Sequence, residues 1–403
     1  MGYEKANRKS TGAVSFVLLV YAASRLFYLL AGALLARIVP VSRFQSITSD
    51  VPFGTMNLWS HWDGEHYAAL AAGGYLQPPD NVSPAFFPLY PLLMRSFAEV
   101  FGGPLSPGAL SLWGMLLSLA ALPFALFFVY RIAEDGWGEG VARGTVLVLA
   151  FFPTTFFLNA AYTESLFLAL SAGSLWAARV RKDLLLACLL AGLATATRNV
   201  GVFLLAPLFL EWLRDARHYR WRGVYLVLAP SGLVVYAGYL WWRFGDPLLF
   251  YTDQQKWGRQ AAGPLATAGR TWEAAVEGAV RLLDPRIWSD PSLGNLANHL
   301  EGANSFYNLV FFVFAVVVLV AGLRDLPSDL SVYAFLLVAP ATLFGTPESP
   351  LMGTPRYLLV AFPLFIVLGL LSRNRLLFGG WLVLSAAASL VLCALFVSWR
   401  FVA

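Results

Sequence analysis

The sequence predicts an all-α polytopic membrane protein, organised as a single domain over residues 1–403, and three observations carry that prediction. Of its 403 residues 58% are hydrophobic and only 13% are charged, about half the charged share of a soluble domain. Apolar runs long enough to approach the roughly 20 residues that cross a bilayer recur from Val14 to Val397. The remaining basic residues fall in short clusters between those runs, so the net charge of +5 reads as a positive-inside signal rather than as a nucleic-acid partner. The two cysteines, Cys188 and Cys393, both lie within apolar runs, where a thiol behaves as a small hydrophobe. No disulfide framework or cysteine metal site follows.

Taken in order, the predicted spans are Val14 to Val39, Leu110 to Tyr130, Gly144 to Asn159, Thr163 to Ala178, Val224 to Trp242, Phe306 to Leu323, Leu330 to Phe344, Tyr357 to Leu371 and Leu376 to Val397. The first follows a basic lead of Lys5, Arg8 and Lys9, yet it is too long for a signal peptide and carries Arg25 and Arg37. An uncleaved first span is expected. Leu184 to Trp212 is flanked on both sides by cytoplasm-seeking arginines, Arg179 and Arg181 before it, Arg214 and Arg217 after it. Two short helices meeting at Ala196 to Gly201 reconcile the flanks, with the irregular tip lining a cavity or reaching the far interface. The expected total is about 9–11 transmembrane helices.

With the N-terminus inside, the basic clusters fall in the cytoplasm and two long loops, 40–108 and 244–304, fall on the other face. The arginine-over-lysine usage, with lysine only at 5, 9, 182 and 256, fits a GC-rich bacterial genome. The expected location is therefore a bacterial plasma membrane, with the functional face outward. In the first loop, Pro84 to Arg95 is too proline-broken for a span and too apolar for open water. Helices lying at the interface, either a substrate floor or simple anchors, are predicted there.

The same loop holds the densest polar motif, Trp59-Ser60-His61-Trp62-Asp63-Gly64-Glu65-His66-Tyr67. On a helix Asp63, His66 and Tyr67 share one face, which suits acid–base chemistry. Two other readings remain open at this point: a capping-box start in which Ser60 caps and Asp63 answers, and a metal site drawn from His61, Asp63, Glu65 and His66, whose spacing does not match a compact helical pair.

Trp62-Asp63 with Tyr67, Phe86-Phe87-Pro88-Leu89-Tyr90-Pro91, Tyr162-Thr163-Glu164-Ser165, Arg198-Asn199 with Gly201, Gln255 with Trp257, and Pro355-Arg356-Tyr357 form an ordered set across most of the chain. In that order and spacing the sequence resembles the GPI mannosyltransferase II (PIG-V-like) family of GT-C-fold membrane glycosyltransferases. The resemblance implies a GT-C-type bundle and inverting transfer of mannose from a polyprenyl-phosphate carrier on the non-cytoplasmic side. It also implies that Asp63 is the catalytic base; the acceptor, a glycolipid or envelope glycan, does not carry over. No cofactor is expected, since monophosphate donors in this fold often dispense with a divalent metal.

Such a reaction needs a base for the acceptor hydroxyl, typically contributing about 10²- to 10⁴-fold, and cations for the departing phosphate. Arg356, between an outer turn and an apolar run, suits a bidentate phosphate contact, although snorkelling also accounts for it. Arg198 and Arg25 lie at membrane depth, where an arginine costs about 2.5 to 3.5 kcal/mol and so faces protein or water. Arg198 either binds phosphate or braces the hairpin. Arg25 and Glu164 either pair structurally or each line the cavity. His66 and Tyr67 are candidates to orient sugar hydroxyls, and Glu65 is expected to face solvent. Gln255 and Trp257, after Gly245-Asp246-Pro247, suit a sugar subsite, with an interfacial tryptophan as the plainer reading. A transporter or flippase of a lipid-linked sugar is the rival class, and a non-catalytic partner subunit is a third.

Overall fold

The computed structural model describes residues 2–42, 46, 54–75, 83–261 and 263–402; within these, the side chains at 2–10, 54–56, 257, 260, 261, 264, 288 and 344 are outside the description. The first helix, α1 (Gly2–Ile38), is followed by three helices of very different length, α2 (Asp63–Gly73), α3 (Leu89–Val100) and α4 (Pro107–Trp137). Next come α5 (Glu139–Ala150), α6 (Glu164–Arg179), α7 (Leu184–Thr197), α8 (Leu205–Arg214), α9 (Ala216–Tyr219) and α10 (Ser231–Phe244). The second long loop is largely helical, with α11 (Leu249–Thr252), α12 (Pro264–Leu282), α13 (Arg286–Ser289) and α14 (Leu293–Gly302). Finally α15 (Asn304–Gly322), α16 (Ser328–Val338), α17 (Thr354–Tyr357), α18 (Phe362–Gly369) and α19 (Arg375–Val397) complete the bundle. A two-residue strand, β1 (Gln260–Ala261), pairs antiparallel with β2 (Phe344–Gly345). The chain is an all-α, multi-pass integral membrane protein.

Five described helical segments are long and apolar enough to cross a membrane: Thr11–Ile38, Pro107–Trp137, Ala216–Phe244, Asn304–Gly322 and Arg375–Val397. A sixth is Thr354–Val360 with Phe362–Arg373 if that pair, bent by 79°, is one span. The other predicted spans are shorter pieces, and proline accounts for several of the breaks. Gly144 to Asn159 is not one helix: α5 stops at Ala150, and Pro153, which cannot donate to a helix, precedes a 3-10 turn at Thr155–Asn159. Likewise α16 gives way to a 3-10 turn at Ala339–Thr342 that contains Pro340.

Arg25 braces this break and is not among the residues that line the cavity described below. It is 3% exposed, and its guanidinium donates to Ala150 O at 3.3 Å, Thr155 O at 3.2 Å and Asn159 Oδ1 at 2.8 Å. A buried carbonyl released by a helix end needs a donor, and Arg25 is that donor. The open alternative of an Arg25–Glu164 pair is thereby decided against.

The predicted hairpin is present, with α7 ending at Thr197, Arg198 extended, and a 3-10 turn at Asn199–Leu204 leading into α8. Gly201 is needed there because a Cβ would lie 2.7 Å from the backbone of Ala194. The basic clusters gather at the far end of this unit. Arg179 pairs with Asp329, Arg214 with Asp329 and Glu211 at 2.7 Å each, and Lys182 with Glu211 at 2.8 Å, tying α6, α8 and α16 together.

The first-loop helices α2 and α3 pack on α4 around Tyr67, Phe86, Tyr90, Met94 and Leu110. Tyr90 is fully buried, and its hydroxyl donates to Gly114 O at 2.7 Å. Leu92, Phe97 and Val100 remain exposed on α3, an apolar outer face beside the Arg95–Glu99 ion pair.

Candidate active site

Asp63 is the first residue of α2, where a carboxylate meets the positive end of the helix dipole. The turn before it is held from three sides. His61 is buried, its ring stacked on Trp399 with centroids 3.8 Å apart; its Nδ1 lies 3.1 Å from Phe396 O and so must carry the proton. The Tyr162 hydroxyl donates to His61 O at 2.9 Å. Trp62 takes φ 56°, a conformation costing a non-glycine residue about 1–3 kcal/mol and held only where the surroundings dictate it. The capping-box reading falls here, because the Ser60 hydroxyl donates to Asn57 O at 2.9 Å and the helix begins three residues later. Burial also lowers the His61 pKa to about 4, so its ring is neutral at physiological pH.

Around Asp63 the fold assembles four buried or half-buried charges. Arg356 Nη1 donates to Asp63 Oδ2 at 2.6 Å, and Arg198 Nη1 donates to Glu164 Oε1 at 2.5 Å. Arg356 Nε lies 3.0 Å from the same Glu164 oxygen without hydrogen-bond alignment. Glu164 is 1% exposed, and its Oε2 has no hydrogen-bond partner among the described residues. Arg259 adds a third guanidinium, donating to the Tyr357 hydroxyl at 2.5 Å. The Tyr357 ring has Arg198, Arg356 and Arg259 at 5.2, 5.2 and 5.6 Å from its centroid, three cations against one aromatic quadrupole.

Burial acts to raise the Asp63 pKa, but the Arg356 charge and hydrogen bond, with smaller help from His66 and Arg198, outweigh it and leave the carboxyl below its ordinary value. Burial also lowers His66, although Asp63 and Glu65 oppose it. At neutral pH the face of α2 thus presents a carboxylate and a neutral imidazole.

These groups open into a cavity of about 620 Å³. Asp63, His66, Tyr67, Arg198, Gln255 and Arg356 of the sequence-predicted set line it. A second stretch of wall is apolar, from Phe312 on α15, Leu337 and Val338 on α16, and Leu358 and Val360 after α17. Glu164 does not line the cavity; it sits behind the two arginines it holds. The Trp257 side chain lies outside the described residues. Glu65, expected to face solvent, is 9% exposed and accepts from Ser46 Oγ at 2.5 Å, because α2 is covered on that side too. Among the described residues no three His, Cys, Asp or Glu side chains gather as metal ligands.

Sequence reasoning passed over Arg259 and Phe401, both of which line the cavity. Arg259 lies four residues after Gln255, so a search for cations beside the proposed sugar subsite finds it. Phe401 carries no local signal, since only the return of the chain after α19 brings it to Trp62.

A family model described as Mannosyltransferase (PIG-V) matches residues 12–214, half of the chain. The chain belongs to the PIG-V mannosyltransferase family. Among curated relatives, GPI alpha-1,6-mannosyltransferase 2 of Homo sapiens is 33% identical over 159 residues, covering 37% of this chain and 30% of that protein. GPI mannosyltransferase 2 of Drosophila pseudoobscura pseudoobscura is 32% identical over 116 residues, covering 27% of this chain and 24% of that protein. The matched stretches therefore span less than a third of either relative's length. Among solved structures, ArnT from Cupriavidus metallidurans bound to undecaprenyl phosphate aligns with 95% of this chain and 77% of its own, at 14% identity and a TM-score of 0.43. The PIG-V match holds Asp63, His66, Tyr67, Glu164 and Arg198, whereas Arg259, Arg356 and Tyr357 join them from beyond its end.

Proposed function

We propose that this PIG-V-family protein is an inverting glycosyltransferase that moves mannose from a polyprenyl-phosphate carrier to an acceptor hydroxyl, with Asp63 as general base. The observation that carries the proposal is the cavity wall: three guanidinium groups and one carboxylate at one part, an apolar strip at another. A phosphodiester donor carries one negative charge. With Glu164 neutralising one arginine and Asp63 another, a single positive charge is left over, and Arg259, which has no carboxylate partner among the described residues, supplies it. The strip from α15 and α16 suits the start of an isoprenoid chain, since both helices also present exposed apolar side chains, Val313 and Phe335.

In the reaction the acceptor oxygen forms a bond to the anomeric carbon as the bond from that carbon to the phosphate oxygen breaks. The leaving electron pair stays on the polyprenyl phosphate, and the acceptor proton passes to Asp63. A carboxylate paired with Arg356 is a weak base. As the phosphate gains its second negative charge it competes for Arg356, and the carboxylate becomes more basic as that pair loosens. This places the arginines where a metal would otherwise stabilise the phosphate, so we propose transfer without a divalent ion. The positive-inside pattern supports a non-cytoplasmic site, and the arginine-over-lysine usage supports a bacterial plasma membrane. A glycolipid or envelope glycan would then be the acceptor, and Gln255 a further hydroxyl contact.

Purified protein in liposomes with labelled polyprenyl-phosphate mannose tests the reading. A mannoside that forms in excess EDTA and is lost in Asp63→Asn supports it. Passage of intact donor across the bilayer with no glycoside formed would establish the flippase instead.

A further inference from the structure

We propose that Trp62 and Phe401 form an aromatic platform for the saccharide ring of the acceptor, held beside Asp63 by the strap of chain that follows α19. The inference rests on the transferase reading above for the direction of the reaction, and on its own geometry for the ligand class.

The strap is held by hydrogen bonds along its length. Arg400 is 3% exposed; its guanidinium donates to Pro40 O at 2.8 Å, to Ser398 Oγ at 2.9 Å and, through Nε and Nη2, to Asn298 Oδ1 at 3.0 and 2.9 Å. The Phe401 amide donates to Glu301 Oε1 at 2.9 Å. Trp399 adopts φ 62° so that its indole reaches His61, and the same turn sends Phe401 to the cavity wall. There its ring meets Trp62 edge to face, with centroids 5.3 Å apart and planes at 82°.

Two tryptophans, Trp62 and Trp399, thus hold positive φ angles to build one aromatic corner. Hydrophobic burial alone does not require this, because Trp62 and Phe401 both keep part of their surface on the cavity. A pyranose offers one C–H face to an electron-rich ring while its hydroxyls reach outward to polar groups. Asp63, which follows Trp62 directly, and His66, one helical turn further along α2, line the same space. The donor phosphate has its own ground at Arg198, Arg259, Arg356 and Tyr357. A ring seated on Trp62 is therefore the one whose hydroxyl Asp63 deprotonates, which is the acceptor.

The test uses the full chain in lipid nanodiscs, with octyl α-mannoside as the saccharide probe and undecaprenyl phosphate as the polyprenyl probe, each titrated by calorimetry. Phe401→Leu, which keeps apolar bulk, and Phe401→Ala should weaken mannoside binding at least tenfold, and Phe401→Tyr should restore it to within about twofold, with melting temperatures reported for each. Mannoside binding that is undetectable in the wild type, or equal in wild type and Phe401→Leu, overturns the platform. Equal weakening of both probes also overturns it, since the strap would then only be holding the cavity together. A Phe401-dependent mannoside site in a protein that forms no glycoside would sink the transferase reading and leave the saccharide platform standing.

Discussion

Helix α6 carries a buried ionic cluster at each end, and the two differ in what they face. At its N-terminus Glu164 holds Arg198 and Arg356, and Arg356 in turn holds Asp63. At its C-terminus Arg179 meets Asp329, which also binds Arg214 and through it Glu211. Glu164 and Arg179 are the first and last of the 16 residues of α6, which sets the clusters about 22 Å apart. Each places a carboxylate at or below 1% exposure between two guanidiniums, so as stability devices they are alike. The first opens on the cavity described above, and there a further carboxylate, Asp63, is left 28% exposed, against 2% for Glu211 in the second. The same interaction is a staple at one end and, at the other, holds the carboxylate proposed as the base.

The sharpest way to break the comparison is at that carboxylate itself. Asp63→Asn is expected to reduce mannosyl transfer by about 10²- to 10⁴-fold while leaving the melting temperature in detergent within a few degrees, because the amide still fills the same place in the first turn of α2. Wild-type rates from that variant would remove Asp63 from the chemistry.

Next in size are the two buried carboxylates. Removing one partner of a buried ion pair costs roughly 3–5 kcal/mol. Asp329→Asn should fall toward the lower end of that range, because Arg214 is 42% exposed and water screens it. Thermal unfolding should therefore show a clear loss, with turnover per folded molecule nearly unchanged. Glu164→Gln leaves Arg198 without its carboxylate and Arg356 with Asp63 alone, so stability and turnover should drop together. Equal effects of the two substitutions on turnover would erase the distinction between the clusters.

Much of this was legible in the sequence, and what was not shares a physical cause. The hairpin at Arg198 could be read because arginines flank both sides of one apolar run, and the shared face of Asp63, His66 and Tyr67 because helical spacing is local. The break after Ala150 was hidden: Pro153 marks it, but the run stays apolar throughout, and the donor that makes the break tolerable, Arg25, comes from a helix 125 residues away. In the sequence Arg356 reads as a phosphate ligand or a snorkelling side chain, with Arg198 as a second phosphate candidate. Its bond to Asp63, 293 residues distant, also makes it a group that tunes the proposed base, and no periodicity carries such a pairing. Phe401 reaches the cavity through tertiary structure alone, whereas Arg259 lies near enough to Gln255 for a local search to find it.

The smallest expected effect isolates Arg356 in that tuning role. With the Asp63 pKa held below its ordinary value, the base stays ionised as the pH falls, so kcat/KM should remain level from pH 7 down to about 4, the ordinary carboxylate range. The linked stability has the same sign: a depressed folded pKa contributes stability that is present above the unfolded value and is lost as the pH falls through the folded one. His61, neutral above about pH 4, and His66, lowered by burial, add no competing step near neutrality. Arg356→Gln removes the guanidinium but leaves the burial that raises the carboxyl. The acid limb of kcat/KM should then move to higher pH, on top of any loss from weaker phosphate binding. A lower rate with an unmoved limb would mean that Arg356 serves the phosphate alone, and the Asp63 carboxylate would then owe its depressed pKa to the helix terminus and the remaining cations.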